Sequence, residues 1–242
     1  MGEGLVHDFR PVDREQHDAV SGRLGLDPES GAGSNLRHCS WRLRSRGPIT
    51  PRRRFDPRHL AQVESALWVA YYRREWLAFL RYAVFLIRGV FGLPWPSTAR
   101  GSWFLLRASQ LWAPIPDNDP VAARLAMERF YRLLKQHNDE PFDPAEAARL
   151  EVEWWHVHRE HQQNNADVDE QALVDALAAL YAYALGLPDA AVRPAAEQRA
   201  LAMRYCDQWV RAGCDLKSSL ITQKRAALVR SYAGLLAAVG QP

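Results

Sequence analysis

The stretch Asp143–Gln163, DPAEAARLEVEWWHVHREHQQ, decides how the chain is read, because it joins the plainest helix start in the sequence to its densest cluster of Trp, His and Glu. Asp143 sits at an N-cap, Pro144 at the first helical position and Glu146 at the capping-box position, so a helix is predicted from there. Within it, Glu153 and His156 spell E-x-x-H, a string that supplies metal ligands in some helical bundles. Winding the residues at roughly 100° per position puts Ala147, Leu150, Trp154 and Val157 on one stripe, widened by Ala148, Val152 and Trp155. Arg149, Glu153, His156 and Glu160 fall on the opposite face, so the textual metal string is expected to point at water. Glu151, His158 and His161 are left inside or at the edge of the apolar sector. A carboxylate and imidazoles beside two tryptophans are costly to bury unless paired, hydrogen-bonded or metal-bound.

Working outward, the 242 residues suffice for one substantial core, or at most two small domains. Nearly half are hydrophobic and about a quarter charged, the balance of a globular protein. Nine tryptophans are the anomaly, and they suit either a large aromatic core or a ligand cavity. The net charge of +3 is unevenly spread. Residues 31–55 hold Arg37, Arg42, Arg44, Arg46, Arg52, Arg53 and Arg54 with no acid, which leaves the rest slightly acidic. This basic segment is a candidate for anionic partners, nucleic acid or a lipid surface, but charge runs are poor evidence of a specific partner and nucleic acid is not favoured. Its interleaved aromatics are limited to Trp41 and Phe55. GAGSN at 31–35 has neither a third glycine nor a following Lys-Ser/Thr, so no phosphate loop is expected. The cysteines at 39, 206 and 214 are odd in number and form no C-x-x-C, which argues against a disulfide framework and for a cytoplasmic setting.

The N-terminus shows no secretory signal pattern, and the apolar run 77–93, broken by Arg81 and Arg88, is expected as a buried helix with no membrane span. Residues 1–55 are expected as an extended or partly disordered basic arm, and 56–242 as one helical domain. Asp56-Pro57 opens a helical signal that continues to about Gly92, with a bend or break expected at 73–76; apolar on almost every face, it belongs in the middle of a bundle. On it, Glu64, Trp68, Tyr71 and Glu75 lie near one stripe, with Arg74, Arg81 and Arg88 alongside, which predicts interior carboxylates facing arginine or histidine. Residues 93–119 read as proline-rich turns around a short helix, 103–112, a place for a pocket mouth carrying Trp95, Trp103 and Trp112. Further helices are expected over 120–137, from a capping box at 167–170 to Gly186, over 194–212, and from Ser218 or Ser219 onward. No period-two alternation is present, so the fold class is all-α, a single globular bundle of seven or eight helices.

The function expected from these residues is binding, of a small apolar or aromatic ligand or of a protein partner, through the aromatics Trp68, Trp95, Trp103, Trp112, Trp154 and Trp155. The alternative is an enzyme using the polar cluster Glu64, Tyr71, Glu75, Glu151, His158 and His161, either metal-dependent or acid/base. A di-metal oxidase would need a second E-x-x-H, and no nucleophile elbow is present, so no cofactor is assigned and a metal is possible without being favoured. Oligomerisation remains open.

Overall fold

A computed structural model describes residues 55–138, 140–163 and 169–240 of the chain. Its basic run at 37–54 and the expected capping acid Asp167 lie outside the described residues. Among the described residues there are eight helices and no strand. They are α1 (Pro57–Tyr72), α2 (Trp76–Phe91), α3 (Trp95–Trp112), α4 (Pro120–Asn138), α5 (Pro144–Gln162), α6 (Glu170–Leu185), α7 (Asp189–Arg211) and α8 (Ser219–Gly240). Each packs on the next in sequence, and α8 returns to pack on α1, so the helices close a ring.

Local chemistry sets the boundaries. Asp56 accepts the Arg58 amide at 2.9 Å and opens α1 behind Pro57. The expected break comes at residues 73–75, where Arg74 takes a left-handed backbone (φ 59°) that costs a non-glycine residue energy. Its side chain offsets that cost by donating to the Ala113 carbonyl at 2.8 Å and lying over the Tyr71 and Trp76 rings. Asp143 caps α5 through the Ala145 and Glu146 amides at 3.0 and 3.1 Å. The reciprocal half of the expected capping box is not made: Glu146 pairs with Arg149, and the Asp143 amide donates to the Tyr183 hydroxyl. Asp169 caps α6 through Ala172, and Gly186 ends it in the left-handed conformation that glycine tolerates best.

Three expectations are corrected. The turn expected at 93–102 is the start of α3, because Pro96 falls in the first helical turn, where a missing amide costs nothing. Helix α7 begins at Asp189, five residues early, and carries Pro194 inside it; Arg193 braces that turn through Asp189 and Asp175. Helix α2 is not central. Packed between α1 and α3, it buries only Phe79, Ala83 and Ile87 and leaves Leu77 86% exposed. Its wide apolar circumference therefore faces outward along one side.

The core runs round the ring in linked clusters. Leu93, Trp112, Met127, Phe130, Leu134 and Phe142 fill the space between α3, α4 and α5. Leu173, Leu177, Ala200 and Met203 join α6 to α7, and Leu60, Ala202 and Leu228 join α1, α7 and α8. Gly234 lets α8 approach α7 closely: a Cβ there would lie 3.2 Å from the Ala195 Cβ.

Candidate functional site

Helix α5 has the rotational phase read from its sequence. Glu153 and His156 are exposed, with His156 at 3.4 Å from Glu160, whereas Glu151, Trp154 and His158 turn toward neighbouring helices. The interior polar groups form three connected sets.

In the first, Glu64 on α1 is buried and receives two hydrogen bonds from Arg199 on α7, at 2.5 and 3.1 Å, and a third from the Tyr232 hydroxyl on α8 at 2.8 Å. Burial works to lower the Arg199 pKa, but the Glu64 charge and its bonds overcome that and hold the guanidinium well above its usual range. Arg199 also lies over the rings of Trp68 and Trp154, at 5.4 and 5.7 Å. The second set centres on Glu151, whose two oxygens accept from the Tyr131 hydroxyl at 2.7 Å and the Trp155 N–H at 3.2 Å. Burial raises the Glu151 pKa, and Tyr131, Arg199, Trp155 and Trp154 offset part of the rise. In the third, His158 stands 3.2 Å from both oxygens of buried Asp207, which also accepts from Gln162 at 2.6 Å; Gln162 in turn donates to Tyr72 at 2.8 Å.

A buried lysine extends the polar interior. Lys224 on α8, 1% exposed, donates to the Ser65 carbonyl at 3.1 Å, approaches the Cys206 sulfur at 3.9 Å and faces the rings of Trp68 and Trp209. Burial lowers its pKa and pushes the Cys206 thiol up to about 12, so Cys206 stays protonated.

Three polar atoms enclosed here make no hydrogen bond of ordinary geometry among the described residues: Trp154 Nε1, the Tyr181 hydroxyl and His161 Nδ1; Glu151 and Ser231 are near enough to Trp154 and Tyr181 for only a weaker, strained contact. Tyr181 lies within the electrostatic reach of Arg199, Glu64 and Glu151, and burial raises its pKa. Trp154 is adjacent to both Glu151 and Arg199. The two donors on α5 and α6 thus share one neighbourhood: with Trp68 they pack against the same core cluster, and both lie near Arg199 and Glu151.

The other candidates are spread around the molecule. Glu75 is corrected from interior to surface: it stands in the α1–α2 break, close to half exposed, paired with Arg73 at 2.6 Å. The break itself puts it there, since the chain leaves the helical stripe at residue 73. Glu75 lines a half-open groove of about 460 Å³ between α1, α2 and the start of α8, together with His59, Val69, Tyr82 and Ile221. Tyr71 belongs to an aromatic cluster with Tyr72, Trp76 and Phe79, near Arg74 and Arg159. Trp112 is buried under Arg159, which sits 4.1 Å over its ring and donates to its carbonyl. Trp95 and Trp103 are exposed on α3, away from the interior groups. Among the described residues, no three His, Cys, Asp or Glu side chains gather to hold a metal ion.

The partners that sequence reading missed are Arg199, Asp207, Lys224, Tyr232 and Gln162. Arg199 precedes Met203 by four and Cys206 by seven, and Lys224 precedes Leu228 by four. A charge on an apolar stripe was the available signal. Comparison with protein-family models, curated proteins and solved structures finds no match to this chain.

Proposed function

We propose that the chain is a small-molecule binding protein whose ring of helices encloses a compact aromatic or apolar ligand carrying a neutral acceptor oxygen, such as a carbonyl. The observation that carries this reading is the pair of enclosed donors without a hydrogen bond of ordinary geometry, Trp154 Nε1 and the Tyr181 hydroxyl. A buried donor left unmade costs about 1–3 kcal/mol, so two in one neighbourhood call for an acceptor to complete them. An indole N–H can only donate, and one carbonyl oxygen has two lone pairs, enough for both groups.

Charge favours a neutral guest. Arg199 is already compensated by Glu64, and the raised pKa of Glu151 opposes a second negative charge beside it. Glu151 spends both oxygens as acceptors, so it serves better as a wall and orienting group than as a free acid or base.

Thermal unfolding with acetophenone and benzamide as neutral carbonyl probes, and benzoate as the charged control, tests the reading. A rise in melting temperature is expected with the neutral probes, smaller with benzoate and absent in Trp154→Phe and Tyr181→Phe. No rise in the parent, or an equal rise in both variants, would remove the proposal.

A further inference from the structure

The outer side of α2 and α3 reverses the ordinary distribution of residues. From Trp76 to Trp112 the chain contains Arg81, Arg88, Arg100 and Arg107 and not one Asp, Glu or Lys. Beside those arginines stand Leu77 (86% exposed), Phe85 (45%), Trp95 (59%) and Trp103 (52%). On α2 the exposed line is Leu77, Arg81, Phe85, at four-residue spacing; on neighbouring α3 it is Pro96, Arg100, Trp103, Arg107. Arg88 bridges the two helices, donating to the Leu93 carbonyl at 2.8 Å and lying 4.1 Å over the Trp95 ring. None of the four arginines forms an ion pair among the described residues.

We infer that this face docks on an anionic lipid surface. The single sign of charge supplies the complementarity, and large apolar and aromatic side chains beside arginine are what an interfacial helix inserts at headgroup depth. Four arginines interrupted by Leu and Phe are sparse for a phosphate backbone. No described helix is long and apolar enough to cross a membrane, so the contact is a surface one. Arginine's long stem lets it lie along the apolar residues while its head reaches lipid phosphate.

Flotation of the full chain with phosphatidylcholine vesicles, and with vesicles of phosphatidylcholine and phosphatidylserine, tests this. Binding is expected only to the mixed vesicles and is expected to weaken with salt. The double substitution Arg81→Gln, Arg100→Gln should weaken it about 25-fold, roughly fivefold for each arginine. The triple substitution Leu77→Ser, Phe85→Ser, Trp103→Ser should abolish it, with far-UV circular dichroism and melting temperature confirming that both variants fold. Absence of binding to the mixed vesicles overturns the proposal. So does undiminished binding by both variants, which would assign attachment to the basic residues 37–54. A concentration-dependent dimer, or nucleic-acid binding, lost in these variants without any vesicle binding would also overturn it.

Discussion

The centre of the ring and the outer side of α2–α3 differ in the opposite sense from a simple globule. Glu64, Arg199 and Lys224 are inside, while Leu77, Phe85, Trp95 and Trp103 are outside. The interior charges persist because each has a partner: Arg199 has Glu64, Glu64 has Tyr232 as well, and Lys224 has the Ser65 carbonyl and two indole faces. Of the exposed residues, Trp95 has Arg88 over its ring, whereas Leu77, Phe85 and Trp103 stay uncovered. The contrast teaches that burial here follows completion of polar groups rather than hydrophobicity alone, and that the two unfinished places, the incompletely bonded donors within and the uncovered apolar face without, are where partners belong.

Breaking the interior pair should have the largest effect. Glu64→Ala leaves the Arg199 guanidinium buried without its carboxylate, and chemical denaturation should show a loss of about 3–5 kcal/mol. Adding Arg199→Met should recover most of it, since the uncompensated charge is gone; a double variant no better than the single would show that the pair is not the cause. Lys224→Met should stabilise the protein at neutral pH by about 1 kcal/mol. Because burial lowers its folded pKa below the unfolded value, the unfolded state holds more protons between those two values, and stability of the parent rises with pH across that window. The methionine variant should lose that rise, and a variant that keeps it would reassign the slope.

Glu151 has the opposite sign. Its folded pKa is raised, so its protonation favours the folded state below the ordinary carboxylate range, and that contribution is lost as pH climbs through the folded value. Denaturation across this range should slope downward in the parent and lie flatter in Glu151→Gln, which keeps an acceptor for Tyr131 or Trp155. An unchanged slope would place the titration elsewhere. The smallest effect belongs to the outer face: Trp103→Ser should change unfolding free energy by no more than about 0.5 kcal/mol, as surface substitutions do. A larger loss would mean that Trp103 is covered by protein.

The helical class, the break after Tyr72 and the outward turn of Glu153 and His156 were legible because caps, turn residues and the 3.6-residue period are local signals. Glu64, Glu151 and His158 were legible as polar residues on apolar stripes, but their partners were not. Arg199, Tyr232 and Asp207 are far away in sequence, and only closure of the ring brings them together. Glu75 was misplaced because a continuous helical wheel carries phase across a break that the backbone does not respect. Helix α2 misled because an all-round apolar composition describes equally a central helix and one with an uncovered side.

The central claim, that the interior of the ring is built to receive an aromatic or apolar guest carrying a neutral acceptor oxygen, is tested most directly by the unfolding free energy of Tyr181→Phe. Removing a hydroxyl that a bound molecule or water completes should lower stability by about 1 kcal/mol. Unchanged or increased stability would mean that the Tyr181 hydroxyl lies in dry, closed protein, and would contradict the account.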